Sequence, residues 1–172
     1  MVAYCEYMFS KRKTPRDYVI NTITVLVAIV LIYFLTTLIL FGITSMVFLI
    51  PAIWFGIIWG ALKIIQGRNI EYEYLLTGCD LDVDKITNKS RRHRIVSVRR
   101  REIEIIAPMD SDKLPSNWKN LKTIDVTSGY NPDAVYVMIA NISEKTAVIF
   151  EPSEKMKENY SAKLPSNVFC QK

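Results

Sequence analysis

From Tyr18 to Ile65 the chain carries a single formal charge, Lys63. A run of this length with so little charge has to be covered, either by the rest of a protein or by lipid. It divides around Gly42-Ile43-Thr44-Ser45 into two apolar stretches, Tyr18 to Phe41 and Met46 to Ile65. At about 1.5 Å per helical residue, each is long enough for a hydrocarbon core of about 30 Å. The first is too long for the apolar region of a signal peptide, and no convincing small-x-small cleavage site follows it. Gly42 is suited to ending one helix, and Thr44 or Ser45 to capping the next. Pro51 falls in the early turns of the second stretch, where a missing amide costs little. The expectation is a two-helix transmembrane hairpin over 18–65, with spans at 18–41 and 46–65.

Charge sets the expected orientation. Lys11, Arg12, Lys13 and Arg16 precede the first span, Lys63 and Arg68 flank the exit of the second, and the turn between them has no charge. Cationic flanks stay on the cytoplasmic side, so both termini are expected there, in the cell membrane. Tyr18 and Trp59 sit where amphipathic aromatics favour the interface. On the second span Ala52, Gly56 and Gly60 recur every fourth residue, and Gly56-Ile57-Ile58-Trp59-Gly60 is a small-residue motif through which helix backbones approach closely. That face serves either the first span of the same chain or another helix, which leaves self-association and packing into a larger complex open. Neither span has an acid or base in its interior, which argues against transport or proton relay.

Beyond the linker 66–69 the pattern changes to period two. Ile70, Tyr72, Tyr74 and Leu76 alternate with Glu71, Glu73 and Leu75, and Leu81 and Val83 alternate with Asp80, Asp82 and Asp84. This alternation predicts half-buried strands. Further strands are expected over 91–98, 103–106, 121–127, 134–140 and 146–150, with turns at Gly78, Asn88 and Gly129. Ser153 is placed to cap a short helix near 153–160, and Pro165 stops any continuation. The expected organisation is therefore a cytoplasmic segment (1–17), the hairpin, the linker, and a cytoplasmic β domain (70–172) with a C-terminal helix. An antiparallel meander curled into a barrel or packed sheet fits these spacings.

The opening Glu71-Tyr72-Glu73-Tyr74-Leu75-Leu76-Thr77-Gly78 resembles the first strand and turn of bacterial membrane-anchored pleckstrin-homology-like domains. The stretches Arg91-Arg92-His93-Arg94-Ile95-Val96-Ser97-Val98 and Ile103-Glu104-Ile105-Ile106-Ala107-Pro108 are similar to an uncharacterised family of two-span membrane proteins from Gram-positive anaerobes. The resemblance implies a pleckstrin-homology-like fold and transfers no functional residue. Phosphoinositide-reading members place basic residues in and beside the first hairpin. Here the first hairpin is acidic, with Asp80, Asp82 and Asp84.

The candidate contact residues form one basic block, Lys85, Lys89, Arg91, Arg92, Arg94, Arg99, Arg100 and Arg101, with no acid among them. Such a block near a membrane attracts anionic headgroups, at about 1 kcal/mol per residue. Alternatively it pairs across the sheet with Asp80, Asp82 and Asp84, or receives an acidic partner. No aromatic interleaving points to nucleic acid. His93 is the only histidine, and Cys5, Cys79 and Cys170 are too scattered for a disulfide framework or zinc site. The carboxylate pairs Asp82/Asp84 and Glu102/Glu104 read as exposed strand positions. Trp118 and Tyr130 are loop aromatics, Tyr130 the more exposed and Trp118 suited to the headgroup layer. The hexapeptide Lys113-Leu114-Pro115-Ser116-Asn117-Trp118 recurs as Lys163-Leu164-Pro165-Ser166-Asn167-Val168, which reads as repeated turn chemistry. No cofactor, metal site or catalytic residue is expected. The sequence reads as a non-catalytic binding or scaffolding module with lipid and a protein as partners. A sensor of anionic lipid and a subunit of a larger membrane complex are the alternatives.

Overall fold

The computed structural model describes residues 4–42 and 44–170, the Thr44 side chain excepted. The expected turn through Ile43 and Thr44 therefore lies partly outside the described residues. The chain divides into two compact units. One comprises Lys13–Asn69, and the other joins the residues up to Arg12 with those from Ile70 onward.

The first unit is helical. Helix α1 spans Pro15–Gly42, and after a 3-10 stretch, Thr44–Leu49, helix α2 spans Ile50–Gln66. Its start is chemically determined: Pro15 is the first helical residue, and Asp17 accepts from both the amide and the hydroxyl of Thr14 at 2.9 and 2.8 Å. The first turns of the expected second span are thus 3-10 rather than α-helical, ahead of Pro51. The two helices pack against each other, with Ile53 and Ile57 half-buried, and Trp54 donates to the Thr36 hydroxyl at 3.0 Å. Thr22, Thr24 and Thr37 return their hydroxyls to carbonyls four residues earlier, so these groups need no water. Helix α1 and the continuous helical stretch Ser45–Gln66 are each long and apolar enough to cross a membrane, and few of their residues are buried within the protein.

The second unit begins before the helices. Tyr4–Ser10 forms a strand, β1, where sequence reading assigns no element. It pairs antiparallel along its whole length with β2 (Ile70–Thr77), from Tyr4 opposite Thr77 to Ser10 opposite Glu71. Its side chains alternate, with Cys5 and Phe9 turned toward the core and Tyr4, Glu6 and Met8 outward. β3 (Asp80–Thr87) and β4 (Arg91–Val98) complete sheet A, in the order β1-β2-β3-β4. A bulge between Val83 and Asp84 shifts the β3–β4 register.

Sheet B has the order β5-β7-β8-β6, formed by β5 (Ile103–Pro108), β6 (Lys122–Asp125), β7 (Tyr136–Asn141) and β8 (Lys145–Phe150). The expected meander is broken here: β6 lies parallel to β8, and the other pairings are antiparallel. β6 is also shorter than the expected 121–127, because Val126 leaves the ladder and enters the core. Helix α3, Glu154–Lys163, closes the unit.

The sheets share one core. Tyr74, Leu76, Leu81, Val83 and Val98 from sheet A meet Ile106, Met138, Val148 and Phe150 from sheet B and Met156 and Tyr160 from α3, all without solvent exposure. Burial of each such aliphatic or aromatic side chain contributes about 1.5–3 kcal/mol. Tyr74 also bridges the layers: its hydroxyl donates to the Val126 carbonyl at 2.7 Å and accepts from the Glu151 amide at 3.3 Å. The opposite face of sheet B is apolar as well, and Leu114 and Trp118 cover Ala107, Val137, Ile139 and Ala147. Trp118 is therefore buried, contrary to its expected place in a headgroup layer.

Candidate functional site

β1 changes which hairpin is first. The acidic connection carrying Asp80, Asp82 and Asp84 is the second hairpin of sheet A, between β2 and β3. The segment joining β1 to β2 is the whole helical unit. Glu71–Gly78 is accordingly the second strand and its turn. Both junctions lie at one end of the sheet: the Lys11 amide donates to the Ile70 carbonyl at 2.9 Å, and the Arg12 amide to the Ser128 carbonyl at 2.8 Å. The loop after β6 is tied there too. Glu151, almost fully buried, accepts from the Ser128 and Gly129 amides at 3.1 and 3.4 Å. Gly129 has φ +78°, which only glycine adopts without strain. Its neighbour Tyr130 is exposed, and the Arg12 guanidinium sits 5.9 Å from the ring centroid.

The basic block does not form one patch, because β4 runs along it. Arg91 pairs with Thr87 at the chain-junction end, and Val98 pairs with Leu81 at the other. Seven residue steps separate those ends by about 23 Å. Lys89 sits in the three-residue β3–β4 turn, where it and Asn88 have φ of 55° and 52°, the left-handed conformation that tight hairpin turns use. Lys89 and Arg91 are exposed at the junction end, with Lys85 half-buried opposite the exposed His93.

Arg92 and Arg94 point to the outer face of sheet A and are paired. Arg94 reaches Asp82 at 3.2 Å and Asp84 at 3.0 Å. Arg92 lies 2.8 Å from Glu73, close enough for strong charge pairing but without hydrogen-bond alignment. Glu73 is 2% exposed. Burial holds its carboxyl above the usual range, helped by a hydrogen bond with Glu6, while Arg92 opposes the shift and Asp84 adds to it. Sequence reading missed this acid cluster, since Glu6 lies on the unassigned strand.

At the far end, Arg99 precedes a 3-10 turn, Arg100–Glu102, that carries the chain from one sheet to the other. The Arg99 amide donates to Glu102 at 2.8 Å and the Arg100 amide to Asp80 at 2.7 Å. The Arg100 guanidinium donates to the Lys163 carbonyl at the end of α3, at 3.0 Å. Arg99, Arg100 and Arg101 are exposed and, with Asp80, line an open depression of about 490 Å³.

Other candidates resolve into structure. Asp82 and Asp84 share Arg94, Glu102 caps its turn, and Glu104 pairs with Lys145 at 2.5 Å. Cys79 is buried, which pushes its thiol up and makes it a poor nucleophile. Among the described residues no cluster of histidine, cysteine or carboxylates is placed to hold a metal. The repeated hexapeptides form the same turn, with the Trp118 amide donating to Pro115 at 3.0 Å and the Val168 amide to Pro165 at 2.9 Å. In the helical unit, Ala52 and Gly56 are exposed and Gly60 half-buried. A Cβ added at Gly56 or Gly60 would meet nothing within 4 Å, so the small-residue stripe lies beside the contact with α1 rather than in it.

A family model described as a bacterial PH-like domain (DUF6106) matches residues 1–170. No curated protein matches, and no solved structure matches.

Proposed function

Taking as premise that the chain belongs to the bacterial PH-like domain family, we propose that it is a membrane-anchored, non-catalytic binding module. Its helical unit is a two-span insertion between the first two strands of the domain, with both termini and the β unit in the cytoplasm. The observation that carries this reading is the pairing of β1 with β2 over its full length. Two paired strands lie on the same side of a membrane, so the segment between them crosses an even number of times. Two helices of spanning length meet that condition. A buried core helix would be covered by protein, and these are not. Removal of α1 as a signal sequence would take β1 with it. Cationic residues flank both junctions.

The reading as a binding module is supported by exposed cationic groups at the two ends of sheet A, Lys89 and Arg91 at one and Arg99, Arg100 and Arg101 at the other. Such a module holds a recognition surface at the membrane and recruits a protein to it. The alternative as a sensor of anionic lipid has its best support at the junction end, in Arg12, Lys89, Arg91 and Tyr130. Recruitment is unnecessary for a chain that is already inserted, so that end would orient the domain on the surface.

Excision tests the reading. Because the Lys11 amide already reaches the Ile70 carbonyl, a short Asn-Gly-containing turn in place of residues 13–69 should close β1 onto β2. The expected product is a soluble, monomeric β domain with the near-UV circular dichroism of a packed core. The full chain should resist alkaline carbonate extraction from membranes. An excised domain that aggregates unfolded, or a full chain released by carbonate, would overturn it.

A further inference from the structure

We propose that Arg99, Arg100 and Arg101 form a docking site for an acidic peptide segment of a partner protein; this deepens the binding-module reading and rests on it. The fold disposes of the other central basic residues differently. Arg92 and Arg94 face acids on β2 and β3, whereas among the described residues Arg99 and Arg101 have no ion-pair partner. Three consecutive guanidinium groups repel one another, and this turn holds them together by fixing their backbone. Glu102 and Asp80 spend their carboxylates on the Arg99 and Arg100 amides, and the Lys163 carbonyl orients Arg100. The turn therefore sets the three arginines, with Asp80, around an open depression of about 490 Å³. Guanidinium groups bind carboxylates through two parallel hydrogen bonds and are favoured at protein interfaces.

The shape and position select the occupant. An open depression suits an extended chain bearing several carboxylates better than a single enclosed anion. No aromatic side chain lines it, so it offers no stacking platform for bases. It lies about 23 Å along the strands from the two chain junctions, at the end of sheet A away from the headgroup-attracting residues.

The test uses the full chain in nanodiscs of zwitterionic lipid and a fluorescein-labelled octaglutamate peptide, read by fluorescence anisotropy. Saturable binding is expected, weakened about tenfold in the Arg99→Ser, Arg101→Ser double variant. The Lys89→Ser, Arg91→Ser control should bind within about twofold of the parent, since it removes the same charge from the other end. Both variants change exposed side chains, and an unaltered thermal transition verifies their folding. Absence of saturable binding, or equal weakening by the two double variants, would overturn the proposal. So would displacement of the peptide by anionic vesicles to which the Arg99, Arg101 variant is blind, since the patch would then be a lipid contact. Carbonate resistance is scored on the same preparations. If the chain is not membrane-inserted, the peptide measurement is made in buffer, and the two failures are read separately.

Discussion

Two tyrosines in the core of the β unit differ in one respect that predicts opposite outcomes for the same substitution. Both have no solvent exposure. The Tyr74 hydroxyl is doubly engaged, donating to Val126 at 2.7 Å and accepting from the Glu151 amide at 3.3 Å. The Tyr160 hydroxyl meets no partner among the described residues, and burial raises the pKa of both phenols. Removing one oxygen from Tyr74 strands a carbonyl and an amide in the core, which costs about 2–3 kcal/mol. Removing it from Tyr160 relieves an unsatisfied hydroxyl and gains about 1 kcal/mol. At about 4 °C per kcal/mol for a unit of this size, Tyr74→Phe should lower the transition by roughly 8–12 °C and Tyr160→Phe raise it by roughly 4 °C. Near-UV circular dichroism of the full chain in detergent micelles reads both. A destabilising Tyr160→Phe would refute the reasoning, because it would mean that the hydroxyl is bonded. A neutral Tyr74→Phe would mean that the bridge between β2 and the loop after β6 is not formed.

Glu73 supplies a pH signature. Its folded-state pKa is raised, so its contribution is complete below the ordinary glutamate range and is lost as pH rises through the folded value. Glu73→Gln should therefore raise stability near neutrality and flatten the dependence above about pH 4.5, as read from urea midpoints, whereas a parallel shift at all pH values would contradict the assignment. In the helical unit, Gly56→Leu should leave the thermal transition of the detergent-solubilised chain within about 0.5 kcal/mol of the parent, because nothing lies within 4 Å of the added Cβ. A larger loss would place another helix against that face.

Much of the fold was legible where one period dominates. The apolar run set the helices, and alternation in Ile70–Leu76 and Leu81–Val83 set two central strands. β1 was missed although Cys5 and Phe9 alternate with Glu6 and Met8, because Lys11 to Arg16 read as a topological signal and drew the preceding residues into a flanking segment. That omission made the acidic second hairpin look like the first. It also hid the β1–β2 pairing on which the proposed even number of membrane crossings rests, and the Glu6–Glu73 contact.

Trp118 was misread because local sequence shows a polar loop. Its burial depends on the outer face of sheet B being apolar at Val137, Ile139 and Ala147, a fact distributed over distant strands. The basic block is continuous in sequence, and only the direction of β4 shows that its ends are far apart. Fold membership and core were thus accessible from pattern. The division of the charges among internal pairs, junction end and far end required the register.

The measurement that bears most directly on the central claim is sidedness of labelling. In a background with Cys5, Cys79 and Cys170 replaced by serine, single cysteines at Ser10, Ser45 and Ile142 are exposed to a membrane-impermeant maleimide in intact cells and in inverted vesicles. Ser45→Cys should react in intact cells, and Ser10→Cys and Ile142→Cys only in inverted vesicles. Labelling of Ser10→Cys and Ile142→Cys from opposite sides, or of all three from the same side, would contradict it.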